Sequence, residues 1–467
     1  MQAIIDFIYG LLWNNLITIP LPGGGELGFP LMVLMLVPAG LYFTIRTKGL
    51  PVRCMPQMLR ISVEKGAKKD GKDSISGWQT LIVSTATRVG MGNMAGVVAA
   101  ISAGGAGAVF WMWVTALLGM STSYIESTLA QQHKEADPLY GGTRGGPAHY
   151  IHAIFAKDKS KKRIALGVAF AIAALLCWGG ISQVIANSVS SALEYAFDIK
   201  PLISTIVLVA VSAVIVLRKN ATVKVLDIIV PIMAVFYFAL TLFIIAKNAS
   251  LLPSVFSRIF EEAFSLKAVT GGGLGAALTY GVQRGLFSNE AGSGSAPCAA
   301  AAADVSHPAK AGLFQSFGVF IDTIIICTCT AMIMLLAPAD TIAGLEGMPL
   351  LQAAMHHHFG QAGVIFIAIV LWLFCLSTFI GVLFYARSNV AYLFGDNWAS
   401  QTGYKLFSLI MLFIGGIAAY TVVWQISDIG MGFMTIFNLL VLLPFGGKAL
   451  KALDDYMSRC KAEKKAK

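Results

Sequence analysis

The segment ATRVGMGNMAG, residues 86–96, places three glycines, an arginine and an asparagine inside an apolar stretch, Trp78–Gly104, long enough to cross a bilayer. Glycine weakens a helix, and a charge in hydrocarbon is costly. The chemistry served by such residues is ligand binding by backbone. A helix broken at mid-membrane leaves free N–H groups on one side of the break and free C=O groups on the other. Inside a bundle, the N–H end attracts a carboxylate and the C=O end coordinates a cation. Gly90 and Gly92 let the backbone leave helical geometry and a ligand come close. Asn93 adds an amide oxygen, a hard ligand suited to Na⁺. The competing reading is a helix-packing face, because Gly92 and Gly96 have the GxxxG spacing. A second interrupted stretch, RGLFSNEAGSGS at 284–295, shifts the balance toward a site.

Other polar residues in apolar segments fit a lined cavity. Gln183 and Asn187 are four apart and share a helix face. Ser377 and Thr378 are adjacent hydroxyls; they either bond carbonyls one turn back or ligate a cation. Arg88, Glu126, Asp227, Arg284, Glu290, Asp322 and Asp428 put charges within spans. Structural ion pairs among Arg88, Glu126, Arg284 and Glu290 are expected, with Arg88–Glu290 joining the two broken helices. Asp227 is expected to pair with Lys224 at the membrane interface. The run His356-His357-His358 reads as a solvated loop rather than a metal site. The seven cysteines include no CxxC and read as apolar packers. No Walker motif, HExxH or catalytic cluster is present, so neither ATP-driven transport nor an enzyme is indicated, and no cofactor.

The elements that must position these residues are membrane helices. The 467 residues are 57% hydrophobic and only 12% charged, about half the charge of a soluble domain. Hydropathy predicts an all-α polytopic membrane protein with eleven transmembrane helices, at 28–46, 78–104, 107–131, 162–195, 201–217, 222–246, 270–296, 311–337, 361–386, 403–421 and 424–445. Residues 1–15 read as an interfacial amphipathic helix with Trp13 at headgroup depth, and Pro253–Lys267 as a second interfacial segment. The net charge of +10 falls in alternate loops, which argues for topology and against nucleic acid. It places the C-terminus in the cytoplasm and the N-terminus outside. One extra helix would then precede a 5+5 inverted-repeat core with two broken helices. The predicted units are 1–77 (interfacial helix, extra span, basic loop), 78–246 (first repeat), 247–269 (interfacial segment), 270–445 (second repeat) and 446–467 (basic tail). Broken helices at matching positions of two inverted halves mark a transport site.

GGAGAVFWMWVTALLG at 104–119 resembles the signature of the alanine/glycine:cation symporter family, also called sodium:alanine symporters. RGGPAHYI at 144–151, RGLFSNEAGSGSAP at 284–297 and GVFIDTIIICTCTA at 318–331 resemble further blocks of that family, in order. The resemblance implies a leucine-transporter-like fold and a sodium-coupled secondary transporter, working by alternating access. It would import a small neutral amino acid, alanine or glycine, as a monomer in a bacterial inner membrane. The alternatives are proton coupling through Glu126, Glu290 or Asp322, a larger neutral substrate such as serine or glutamine, and a channel. Carried over by position, backbone at Gly90, Met91 and Gly92 would hold the substrate carboxylate. The unwound stretch at Phe287, Ser288 and Asn289 would hold the ammonium group, with Asn93 and Gln183 lining the pocket. Carbonyls of Ala86 and Val89, with the hydroxyls of Ser377 and Thr378, would bind Na⁺. Arg88, Met91 and Val382 depart from the family pattern. Many members carry a less charged residue, a threonine or serine, and a tryptophan there, respectively.

A valine in place of tryptophan widens the pocket at residue 382. Val382→Trp should therefore weaken competition by bulky amino acids more than by alanine. A competition profile unchanged by the substitution would remove Val382 from size selection.

Overall fold

The computed structural model describes residues 2–21, 25–62, 88–156, 163–218, 223–265, 273–342 and 344–466. Residues 78–87, Ala86 among them, lie outside the described residues, as do the side chains of Lys224 and Asp227.

Helix α1 (Gln2–Trp13) leads into a ribbon of β1 (Asn15–Leu21) and β2 (Gly25–Pro30), then α2 (Leu31–Arg46). The first interrupted stretch supplies α3 (Gly92–Gly104), whose first turn is π-helical. A long helix α4 (Gly107–Gln132) follows. A short ribbon, β3 (Glu135–Ala136) with β4 (Thr143–Arg144), then enters α5 (Pro147–Phe155). Next come α6 (Ala165–Phe197), α7 (Pro201–Val216), α8 (Val223–Lys247) and α9 (Leu252–Phe264). The second interrupted stretch is α10 (Gly273–Asn289) and α11 (Ala296–Ala302). The chain continues through α12 (Pro308–Leu335), α13 (Met348–Phe359) and α14 (Gln361–Phe394). It ends with α15 (Trp398–Ile417), α16 (Tyr420–Phe445) and α17 (Gly447–Ala466).

The expected count of eleven spans does not hold. Among the described residues five helices, α4, α6, α12, α14 and α16, are long and apolar enough to cross a membrane. The count rises to six if Pro231–Lys247 and Ala249–Phe264, bent by 75°, form one span. Shorter apolar helices account for several of the missing spans. Helices α2 and α7 have 16 residues each, roughly 24 Å at 1.5 Å per residue, against ~30 Å of hydrocarbon. The architecture is still all-α and polytopic, but no clear 5+5 inverted repeat is evident in it. Apolar length along a sequence overcounts spans because it does not register where a helix stops.

One local expectation is also corrected, and two others gain a structural setting. His356, His357 and His358 lie in the last turn of α13, and buried His358 hydrogen-bonds the Ile333 carbonyl at 3.0 Å. Trp13 is buried against the protein, and its Nε1 donates to the Asp428 carbonyl at 3.3 Å. The exposed face of α1 is instead Ile4, Phe7 and Leu11, at helical spacing. Pro253–Lys267 does form a helix over most of its length, continuous with α8 through the bend.

Two groups of helices make the body. Helix α6 packs along α14, α15 and α16, and α4 packs along α10, α11 and α12. Lipid tails are as apolar as leucine, so tight backbone approach and hydrogen bonds drive association. Glycines supply that approach. A Cβ on Gly415 of α15 would lie 2.2 Å from the Gln183 Cα of α6, and one on Gly430 of α16 2.5 Å from the Cys177 Cα. On the other side, a Cβ on Gly281 of α10 would meet the Ala108 carbonyl of α4 at 2.6 Å.

Gly415→Ala must therefore separate α15 from α6. A loss of roughly 1–3 kcal/mol is expected from such overpacking, read as a lower melting temperature of the detergent-solubilised protein. Gly403→Ala, where a Cβ meets nothing within 4 Å, should leave the melting temperature unchanged or raise it slightly.

Candidate functional site

The first interruption falls at Val89 and Gly90, which bend out of helical geometry before the π-helical turn Gly92–Gly96. Gly90 is required by contact: a Cβ there would lie 2.0 Å from the Thr378 Oγ1 of α14. The N–H groups at the break are capped by side chains. Gly90 N–H donates to Asn93 Oδ1 at 2.8 Å, and Met91 N–H to Thr378 Oγ1 at 3.2 Å.

The second interruption begins three residues later than the resemblance implied. Phe287, Ser288 and Asn289 are the last turn of α10, not unwound chain. The break itself is 290–295, where Glu290, Gly292 and Gly294 adopt φ of 55°, 89° and 90°. Those left-handed values explain both glycines and leave Glu290 as the strained member. Gly292 N–H donates to Glu126 Oε1 at 3.2 Å, and Asn438 Nδ2 donates to Glu126 Oε2 at 2.7 Å and the Gly292 carbonyl at 3.0 Å. Tyr150 donates to Asn438 Oδ1. The Asn289 side chain turns into its own break, accepting from Ala291 N–H at 3.0 Å.

The two interrupted stretches meet at Asp322 of α12. Asn93 Nδ2 donates to Asp322 Oδ1 at 2.6 Å, while Ser288 Oγ and Thr323 Oγ1 donate to Oδ2 at 2.9 and 2.8 Å. Thr330 Oγ1 donates to the Asn93 carbonyl at 2.7 Å. Asn93 and Asp322 are fully buried. Both sit on π-helical turns, Gly92–Gly96 and Phe320–Cys327, which pack against each other. Such turns are rare and concentrate at functional positions. No arginine, lysine or histidine lies within 4.0 Å of Asp322 among the described residues, so its direct hydrogen-bond donors are neutral.

Other candidate residues fall into place unevenly. Ser377 and Thr378 both donate to the Phe374 carbonyl, at 2.8 and 2.9 Å, yet Thr378 also reaches the first break. Val89 lies in that break; Ala86 is outside the described residues. Phe287 lies between Gly92, whose Cβ would be 3.7 Å from its ring, and Trp424, with ring centres 4.8 Å apart. Val382 is buried one turn beyond Thr378 on α14. Gln183 is not drawn into the cluster by any hydrogen bond; its Nε2 faces Met411 Sδ at 3.2 Å where α6 meets α15.

The ion pairs differ from those expected. Arg88 does not pair with Glu290; it donates to the Gln315 carbonyl at 2.6 Å and to Ser123 Oγ at 3.2 Å. Glu290 hydrogen-bonds Tyr385, and Glu126 bonds the second break as above. Arg284 pairs with Asp428 of α16 through two hydrogen bonds of 3.1 and 2.6 Å, and its guanidinium lies 4.1 Å from the Trp424 ring centre. Gln283 Nε2 adds a third donor to Asp428 at 3.0 Å. Asp322 and Asp428 stand out in the sequence as charges in apolar segments, but nothing there names their partners. Asn438, a lone polar residue in an apolar run, gives the same kind of signal.

A model of the sodium:alanine symporter family matches residues 25–467. The chain belongs to that family. It is accordingly a sodium-coupled amino-acid symporter in a membrane, not an enzyme. It is 39% identical to a probable sodium/glutamine symporter, GlnT, of Bacillus subtilis, over 99% of this chain and 93% of the relative. It is 36% identical to the sodium/alanine symporter AgcS of Methanococcus maripaludis, over 90% of this chain and 92% of that one. Among solved structures it shares its fold with a manganese transporter of Eremococcus coleocola, with a TM-score of 0.53, 14% identity, and coverage of 84% of this chain and 82% of that one. It also shares its fold with MhsT in complex with L-phenylalanine, with a TM-score of 0.51, 14% identity, and coverage of 83% of this chain and 93% of that one.

The Arg284–Asp428 pair offers a direct energetic test. Removing one partner of a buried pair strands the other charge, at roughly 3–5 kcal/mol. Asp428→Asn or Arg284→Gln alone should each lower stability strongly, while the double variant should recover much of the loss. Additive losses in thermal unfolding would mean the two groups do not act as a pair.

Proposed function

We propose that this symporter binds a small neutral amino acid, alanine or glycine, between the two interrupted helices, beside the Na⁺ that drives its import. The observation that carries this reading is the buried junction of Asn93, Ser288 and Asp322, where both interruptions meet a third helix. In it, the N–H groups at Gly90, Met91 and Gly92 receive the substrate carboxylate. They do so by exchanging the caps now supplied by Asn93 and Thr378. The α10 end at Phe287, Ser288 and Asn289, with Asp322 behind it, receives the ammonium group. Thr378, Ser377 and the carbonyl of Val89 supply hard oxygen ligands for Na⁺, and Ala86 completes the set. Arg88 is the guanidinium serving Glu126, Glu290 and Asp322 at longer range. Sodium and substrate each bind better with the other present, and that linkage is reciprocal.

The chain acts as a monomer in a bacterial inner membrane, with the N-terminus outside. Lys134, Arg144, Arg163 and Arg387 cluster where the end of α14 meets the loops after α4 and α11, and α17, with Lys448 and Arg459, is tied to the same region through Gln132 and His307. That end faces the cytoplasm. A second reading, a larger neutral substrate such as glutamine, is favoured by Val382 and by the name of GlnT.

Labelled-alanine uptake into proteoliposomes, with an inward sodium gradient and no pH gradient, tests the proposal. Sodium-dependent accumulation is expected, abolished in Asn93→Ala and reduced about tenfold or more in Asp322→Asn, where a charge-assisted hydrogen bond is lost. Competition by unlabelled glycine, serine, glutamine and leucine sets the substrate. Uptake driven by a pH gradient without sodium would replace sodium coupling with proton coupling.

A further inference from the structure

The ribbon β3–β4 takes no part in the site, yet it carries a dense set of charge contacts. Asp137, buried in the turn between its strands, is 3.7 Å from Arg387 Nε of α14 and 3.9 Å from Arg144 Nη1. Arg144 also reaches Asp396, at 2.9 Å, and Glu135, at 3.0 Å. Hydrogen bonding from His149, with Arg144 adding to it, holds the Glu135 carboxyl down at about 2. The guanidinium of Arg387 lies over Phe384 and Tyr140, at 4.1 and 5.0 Å.

The ribbon is tied also to α11. Thr143 Oγ1 donates to the Ala301 carbonyl of α11 at 2.8 Å, and beside it Gln131 Nε2 of α4 donates to the Ala303 carbonyl at 2.7 Å. Beneath it, Ser388 Oγ donates to the Gly145 carbonyl at 2.6 Å, and a Cβ on Gly146 would strike Cys298 Sγ at 2.7 Å. Cys298 is 4% exposed. The ribbon thus bridges α11, the helix resumed after the second break, and the far end of α14.

From this placement we infer that the β3–β4 ribbon is a latch closing the cytoplasmic end of the transport path, released when the Asp137–Arg387 and Arg144–Asp396 contacts part. The inference rests on the orientation and site proposed above. Helix α14 runs without a break from Thr378 to Arg387. Nine residues span about 14 Å, so a shift of α14 at the site reaches Arg387 rigidly. Helix α11 follows the left-handed turns at Gly292 and Gly294, which permit it to move separately from α10. The contacts themselves suit a reversible closure. Arg144, Arg387 and Asp396 keep part of their surface exposed, so water reaches them as the contacts part, while Asp137 is buried.

Cys298 reports the latch. In a Cys460→Ser background, a membrane-impermeant maleimide is applied to inside-out vesicles and the labelling of Cys298 is followed, with Cys298→Ser identifying the signal. In the otherwise wild-type chain, the labelling rate should change when sodium and alanine are supplied. Asp137→Asn should raise it by about fivefold or more, and Arg387→Gln combined with it should add little. Should either variant fail to fold, the wild-type response to sodium and alanine decides alone. Labelling indifferent to sodium, alanine and Asp137→Asn, in vesicles that still show sodium-driven uptake, would overturn the latch and leave the site intact. Preferential labelling in right-side-out vesicles would overturn it as a cytoplasmic closure. Loss of sodium-driven uptake by the unmodified protein would instead count against the site.

Discussion

Every backbone N–H and C=O at membrane depth must find a partner inside the protein, and the arrangement of this chain follows from that constraint. An unbroken helix meets it by itself. The two interrupted stretches do not, and the buried polar side chains gather around them. Asn93 Oδ1 and Thr378 Oγ1 cap the first break. Glu126 and Asn438 cap the second. Four different helices are thereby committed to holding two short pieces of irregular backbone. The same donors and acceptors can be exchanged for a carboxylate, an ammonium group or Na⁺, which turns a structural requirement into a basis for transport.

Charge is distributed in two different ways within the bundle. Arg284 and Asp428 form a closed pair, with Gln283 and the Trp424 face completing it. Arg88 is different: it is bonded to a carbonyl and a hydroxyl, with Glu126, Glu290 and Asp322 at longer range. Glu290 Oε2 and Arg88 Nε have no hydrogen-bond partner among the described residues. A closed pair favours one arrangement, whereas an incompletely paired cluster responds to an arriving cation. The first belongs to the frame and the second to the site.

Much of this site was legible before any packing was known. ATRVGMGNMAG and RGLFSNEAGSGS break apolar runs with residues that no lipid-facing helix would carry, and both prove to be where the backbone leaves regular geometry. Gly90, Asn93, Ser288 and Thr378, from separate segments of the sequence, come together around the first break. The span count was not legible. Hydropathy integrates composition along a line, and it counts a 16-residue helix such as α2 together with its flanks as a crossing. Gln183 faces Met411 rather than the hydrogen-bonded cluster, because helix periodicity shows which residues share a face but not which neighbour that face meets.

The sequence by itself determined the membrane class, the two interruptions and the family, since each is written in local composition or in contiguous motifs. The tertiary structure alone decided that Arg284 answers Asp428 rather than Glu290, nearer in sequence, that Arg88 touches no acid among the described residues, and that Asp322 stands where both interruptions meet. Those partners lie 144 residues apart for Arg284 and Asp428, and 229 apart for Asn93 and Asp322. Which of several buried charges becomes a neighbour depends on the close approach of whole helices, set by glycines such as Gly281, Gly415 and Gly430. The identity of a charged residue carries no information about that approach.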